Sequence, residues 1–407
     1  MRYKDPNLKV PSKVKWLIWL TAFAAIGQGF LITAVSAYLP ELGISSGEVG
    51  IILGASGLAM VVCAIPFGIM SDRIGRKKVL MIGLVTTPPV LLICAFSHDV
   101  TLFLIANIIA GVSEAAFLSA WNAMIADQTT VDNRGMAFSM SFIVYGAFTG
   151  IGFALPLGFP MIEEMFSMSS SDVHSYAFLV LGLLGVVSPV TIGYLLKDYK
   201  EEPIVKATRA LLGPRSKKTL VKFSINNTMI GLGAGLIIPL IPTWLFLEYG
   251  ITDEYSGPLL AISSITIGFA AIFSTGLSHR FGPVKAIALT QGSSIIFMLA
   301  IPFMPGAACA ATFYLIRAAL MNMAGPIMDS YLMGIVDKED RGLASAINSI
   351  LWRLPNSATT IVGGALLAAG FYTLPFILAS VIYSIAIVSF YLNFRRVEPD
   401  REAAVEA

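Results

Sequence analysis

Apolar residues along this chain come in long unbroken runs, not in the alternating pattern of strands or the narrow stripes of surface helices. Twelve runs reach the length of about 20 residues that a bilayer core demands. They cover roughly 16–38, 48–70, 79–97, 101–126, 136–160, 176–196, 220–247, 258–278, 285–304, 308–336, 343–369 and 372–394. The segments between them are polar and mostly short. The pattern predicts an all-α integral membrane protein with twelve transmembrane helices. Pro66, Pro88, Pro89, Pro156, Pro189, Pro239 and Pro242 fall inside the runs, where membrane helices tolerate them better than soluble ones do.

The chain also repeats itself at an ungapped offset of 207 residues. Glu41-Leu-Gly43-Ile44 returns as Glu248-Tyr-Gly250-Ile251. Asp72-Arg73-Ile-Gly75 returns as His279-Arg280-Phe-Gly282, and Arg134-Gly135-Met-Ala137 as Arg341-Gly342-Leu-Ala344. One register linking loops on both sides of the bilayer points to two pseudo-symmetric six-helix bundles, a duplication common among secondary transporters. The expected bundles span 1–196 and 220–396, joined by a charged linker at 197–219 with a short amphipathic turn near 204–212. A polar tail follows at 397–407.

Composition agrees. Of 407 residues, 56% are hydrophobic and 13% charged, against about 25% charged in soluble domains. Apart from Arg317 and Arg353, the 27 Lys and Arg residues lie in the N-terminal arm, alternate loops, helix ends on the same side, or the tail. The opposite loops hold none, and carry Glu41, Asp99, Glu163, Glu164, Asp172, Glu248, Asp253 and Glu254. The positive-inside rule then puts both termini in the cytosol of a multi-pass plasma-membrane protein. The first run is too long for a signal-peptide core and reads as a retained helix. Cys63, Cys94 and Cys309 sit inside apolar runs, and His98, His174 and His279 are scattered. No disulfide framework, metal site or cofactor is expected.

The segment Gly68-Ile-Met-Ser-Asp72-Arg73-Ile-Gly75-Arg76-Lys77-Lys78 resembles the loop motif Gly-x-x-x-Asp-Arg-x-Gly-Arg-Lys-x of the major facilitator superfamily. Position, loop length and side agree with that family's loop between helices two and three, and the likeness covers nearly the whole chain. It implies alternating access by rocking of the two halves, with helices one, four, seven and ten around a central cavity. It also implies that the motif latches the halves on the cytosolic side, with Asp72 facing the start of helix eleven near Arg341. Gly68 and Gly75 suit close helix contact and a tight turn. Arg73, Arg76, Lys77 and Lys78 can equally be plain topology signals. The second copy has His279 for the acid and Pro283 for Arg76. Its latch, around Arg280 and Gly282, is expected to be weaker.

Ionisable groups within membrane helices are costly and point to function. Glu114, Arg317 and Arg353 lie roughly 14–20 Å into helices four, ten and eleven at 1.5 Å per residue. Glu114 shares a partly polar face with Asn107, Gly111, Leu118, Trp121 and Asn122. Tyr314 and Met321 flank Arg317, and Asn356 and Thr360 follow Arg353. Glu114 and Arg317 lie at similar depth on pseudo-equivalent helices. They are expected to approach across the cavity in one state, as a proton switch or as a static packing pair. Asp329, equivalent to Asn122, is a second candidate for coupling or gating. Asp127, Arg134, Asp337 and Arg341 are expected to bridge locally at the cytosolic ends. Trp121, Tyr145, Trp352, Met321 and Met328 either line a lipophilic pocket or pack the core.

Three readings of function stand. Two deep arginines against one glutamate favour a proton-coupled transporter of organic anions or zwitterions. A proton-antiporting exporter of lipophilic compounds is the alternative, though the helix-four Arg of such exporters is replaced near Asn107. Their helix-five glycine–proline element is only partly echoed by Gly146, Gly150 and Gly152. A lipid flippase or a non-transporting sensor is the third; a sensor would carry a soluble domain, which this sequence lacks. No catalytic triad, phosphate loop or ATP-binding motif is present, so no enzyme is expected. The expected partners are a small solute, protons and the lipid bilayer, without nucleic acid, and the expected form is a monomer.

Overall fold

The computed structural model describes residues 9–97, 99–199, 214–337 and 340–396. Most of the expected linker, including 204–212, and the tail from 397 lie outside them. Twelve long helical passes run through the described residues. They are α1 (Ser12–Glu41), α2 (Ser46–Ile74), α3 (Arg76–Phe96), α4 (Val100–Asp127), α5 (Asn133–Phe166), α6 (Ser170–Leu195), α7 (Lys217–Tyr249), α8 (Asp253–Phe281), α9 (Pro283–Phe303), α10 (Ala307–Ile335), α11 (Arg341–Ala368) and α12 (Leu374–Phe394). Ten of these are long and apolar enough to cross a membrane. The other two, α8 and α11, have 29 and 28 residues, or about 43 Å at 1.5 Å per residue, more than a hydrocarbon core of about 30 Å. Ile51, Val62 and Ile65 on α2, Phe142 on α5, Ile296 on α9 and Val388 on α12 are exposed, a surface that suits lipid and not water.

The helix pairs repeat with the sequence. The α1·α5, α3·α4, α3·α6 and α1·α6 contacts of the first half return as α7·α11, α9·α10, α9·α12 and α7·α12 in the second. The turns repeat too. Gly43 and Gly250 have φ of 83° and 68°, and Gly75 and Gly282 have φ of 106° and 76°, values that a side chain would strain. Ala137 and Ala344, also matched by the offset, are both fully buried.

The chain divides into two units. One comprises Met1–Leu39, Ala55–Val205 and Asp253–Ala261; the other comprises Pro40–Gly54, Lys206–Thr252 and Ile262–Ala407. Each unit thus takes in a short segment from the other sequence half, and the two segments correspond under the offset. In the first unit, the start of α8 packs on α1 and α5. A Cβ on Gly257 would strike the Phe153 carbonyl, and Asp253 lies 2.7 Å from the imidazole of His174 on α6. In the second unit, the start of α2 packs on α11. A Cβ on Gly50 would lie 2.8 Å from the Thr360 carbonyl, and one on Gly364 would lie 2.5 Å from the Ser46 carbonyl.

Caps fix several helix starts. Asp99 accepts from the amides of Thr101 and Leu102 at 2.7 and 3.2 Å. A side-chain bond from Thr101, with these amides, holds its carboxyl below the usual carboxylate range. α1 is interrupted by a π-helical turn at Ala34–Tyr38, and α7 by a 3-10 turn at Ile238–Leu240, close to the matching position in the repeat.

Candidate functional site

In the first unit, glycines draw α4 against its neighbours and thereby aim Glu114. A Cβ on Gly83 would lie 2.7 Å from the Phe117 amide, and one on Gly111 would collide with the Ser56 carbonyl. α4 is therefore held backbone-to-backbone between α2 and α3. Glu114 follows Gly111 by three residues and lines a pocket with about 470 Å³ of empty space. Thr21 and Gln28 on α1, Thr87 on α3, Ser113 on α4 and Tyr145 on α5 supply its neutral polar groups. Ala24, Leu84 and Phe117 supply apolar wall, and no Lys or Arg among the described residues lines it. Glu114 is half-buried.

Its expected companions on α4 lie elsewhere. Asn107 is buried and returns its amide to the Phe103 carbonyl at 3.0 Å, while Asn122 is exposed. Trp121 belongs to the packed core. It stacks on Phe117 at 5.1 Å and donates to Ser141 at 2.9 Å. Tyr145 does line the pocket. Gln28, Thr87 and Ser113 escaped notice in the sequence. Gln28 was detectable as the one carboxamide in the first apolar run, whereas Thr and Ser are too common in membrane helices to stand out.

The second unit treats its buried charge differently. Arg317 is only 4% exposed. Its Nη2 donates to the Tyr383 hydroxyl at 2.8 Å, and the guanidinium carbon lies 5.6 Å from that ring's centre. Nε has no hydrogen-bond partner among the described residues. Arg353 is half-buried. Asn356 spends its amide on the Gly231 carbonyl of α7 at 3.4 Å, and its own carbonyl accepts from Thr360 at 2.9 Å. Asp329 is exposed. Met321 and Met328 take weak bonds from Ser294 and Gln291 at 3.6 and 3.4 Å.

At the loop motif, Gly75 makes the positive-φ turn. Gly68 has open space where a Cβ would stand, so among the described residues it makes no close contact there. Asp72 and Arg73 are exposed. The side chain of Arg341, the suggested partner of Asp72, lies outside the described residues. Arg76 forms an ion pair with Asp127 at the end of α4 and reaches the Ala123 carbonyl at 3.4 Å. Tyr199 donates to the same carboxylate at 2.7 Å. Lys77 donates to the Leu196 carbonyl at 2.6 Å. These basic residues thus close the C-terminal ends of α4 and α6, where a cation meets the partial negative charge of unpaired carbonyls. Arg134 does likewise, reaching the Ala126 carbonyl at 3.2 Å. In the second copy, Arg280 is exposed above the Phe281 ring at 5.3 Å, and Gly282 repeats the turn.

A sequence model of the Major Facilitator Superfamily matches residues 17–325 and again 223–407. The chain belongs to the major facilitator superfamily. It is a membrane-embedded secondary transporter with the twelve-helix fold of that family. Among its relatives is the quinolone resistance protein NorA of Staphylococcus aureus, 24% identical over 84% of this chain and 86% of that protein. The class H tetracycline resistance protein of Pasteurella multocida is 24% identical over 94% of this chain and 96% of that protein. An uncharacterised transporter of the superfamily from Methanocaldococcus jannaschii is 27% identical over 67% of this chain and 70% of that protein. Solved structures share the fold. A bacterial homologue of the human lysosomal transporter Spinster has a TM-score of 0.72 at 14% identity, covering 95% of this chain and 98% of that one. The nucleoside transporter NupG also reaches 0.72 at 14% identity, covering 94% of this chain and 100% of that one.

Proposed function

We propose that this superfamily member is a proton-coupled exporter of neutral or cationic amphipathic compounds. In this reading it works across the cytoplasmic membrane by alternating access, both termini facing the cytosol. Glu114 carries a proton in one state, and in the other releases it to water and pairs with cargo. The observation that carries this reading is the composition of the Glu114 pocket, whose described lining has one carboxylate, neutral polar groups, apolar wall and no basic residue. A carboxylate on such a wall offers an acceptor that a proton or a cationic cargo can occupy in turn. Arg317 and Tyr383 hold each other in the second unit, which weakens the case for an arginine waiting on an anionic cargo. The names of the quinolone and tetracycline resistance relatives support export of such compounds.

A second reading, transport of an organic anion, draws support from one feature. Arg317 keeps an unsatisfied Nε, a donor that a carboxylate could fill.

Proteoliposomes under an imposed pH gradient separate the two. With a lipophilic cation dye as cargo, Glu114→Gln is expected to abolish gradient-driven movement, because an amide cannot exchange a proton for cargo. Gradient-free counterflow should persist. Undiminished pH-driven transport in that variant sinks the role of Glu114. Uptake of small carboxylates, lost in Arg317→Ala, would favour the anion reading instead.

A further inference from the structure

The start of α8 is fastened by a pair of titratable groups that the Glu114 reading does not use. His174 and Asp253 are 2% and 6% exposed at their side chains. The imidazole Nδ1 lies 2.8 Å from the Ser170 carbonyl oxygen, and Nε2 lies 2.7 Å from Oδ2 of Asp253. A carbonyl oxygen only accepts, so Nδ1 bears a hydrogen and donates it. Two possibilities then remain at Nε2. Either it bears a second hydrogen and faces a carboxylate, or it accepts from a protonated carboxyl. Both place one additional proton between Nε2 and Oδ2. Without that proton, a lone pair would face a buried carboxylate, an arrangement that burial penalises.

We propose that His174 and Asp253 form a proton-binding clasp that holds the first turns of α8 on the first unit. Separated in water near neutral pH, imidazole is mostly neutral and the carboxyl is ionised, with ordinary pKa values of about 6.5 and 3.9. Closing the clasp therefore takes up one proton above about pH 6.5, and opening it releases one. Below that pH the separated imidazole is itself charged, and the dependence fades. The sign follows: raising the pH above about 6.5 favours the open form, by up to about tenfold in the closed-to-open ratio per pH unit.

The surroundings suit a two-state fastening. Tyr38, the last residue of the π-helical turn in α1, stacks on the imidazole with ring centres 3.6 Å apart and planes 4° from parallel. Phe159 meets it edge-on at 4.7 Å. Further titratable groups stand on the elements packed there. α5 carries Glu163 and Glu164, half-buried and exposed in the turn after Phe159, and α8 carries Glu254 beside Asp253. α6 carries Asp172, which accepts from the Ser169 hydroxyl at 2.7 Å. All of these are acids, and among the described residues His174 is the one basic group in the cluster. α8 itself passes from the first unit to the second at Ile262, so the clasp acts on a helix that both units share. The repeat has no second clasp, since the offset takes His174 to Val381 and Asp253 to Ser46.

The test uses the full chain in lipid nanodiscs, with Cys63, Cys94 and Cys309 replaced by serine. Spin labels go at Tyr176→Cys and Tyr255→Cys, both exposed positions, on α6 and α8. Double electron–electron resonance is recorded at pH 6.5, 7.5 and 8.5. The expected result is a longer-distance population that grows with pH. An unchanged distribution across this range overturns the proposal without need of any further variant. In His174→Gln and Asp253→Asn, whose amide pairs need no extra proton, the distribution should stop responding to pH. A pH response that survives in either folded variant also overturns it, because another group would then be titrating.

Discussion

The two units share one backbone plan and part company where charge is placed. In the first, glycines press α4 between its neighbours, and Glu114 lines a pocket. In the second, the deep charge is Arg317, folded against Tyr383 with 4% of its surface exposed. The exchanged segments differ in the same way. The start of α8 is held by Asp253 and His174, and the start of α2 by a seam of bare backbone at Gly50 and Gly364. Duplication preserved the turns and helix pairs, which depend on glycine conformations and packing shape. It did not preserve the ionisable groups, because a charge in a membrane helix is costly and persists where function repays that cost.

Substitutions can test this contrast, beginning with the largest effect. Gly364→Val puts a branched side chain where even a Cβ would lie 2.5 Å from the Ser46 carbonyl. Overpacking of this kind costs about 1–3 kcal/mol or more. The thermal midpoint in detergent should fall sharply, while Gly68→Ala, with open space around it, should leave it unchanged. Equal effects from the two would break the account of the seam. Next comes Tyr383→Phe, which leaves the buried Arg317 guanidinium short of its hydroxyl partner. A loss of about 1–2 kcal/mol is expected, and chemical denaturation of the purified protein can measure it. No loss would mean that water or another group satisfies the arginine, reviving it as a cargo ligand. The smallest effect should come from Arg76→Ala. Its pair with Asp127 is partly exposed, so about 1 kcal/mol is the expected ceiling. Lys78→Ala, at an exposed position, serves as the matched control and should change nothing.

Much of the scaffold was readable beforehand. The apolar runs correspond to the twelve helices, and the repeat located two pairs of positive-φ glycines. The reason is physical. A bilayer forces each span to satisfy its own backbone, so length and hydropathy report helices directly. A left-handed turn demands glycine whatever surrounds it. The site was readable only in outline. Glu114 stood out as an acid in an apolar run, but Asn107 and Asn122 on the same expected face proved to bond to their own helix or to be exposed. A few degrees of helix rotation separate a pocket wall from a packing face, and periodicity does not resolve them. Arg76 and Lys77 read equally well as topology signals until their carbonyl and carboxylate partners were visible.

The sequence by itself determined the solvent of this protein, the number of its spans, its duplication and the few positions where charge lies within an apolar run. Those are local matters, decided by composition and by glycine's freedom. Only the tertiary structure decided which charges meet. His174 and Asp253 are 79 residues apart and belong to different halves of the repeat. Nothing in either neighbourhood announces the other. Their meeting depends on the start of α8 packing with the first unit, and that is a property of how helices fit together across the whole chain.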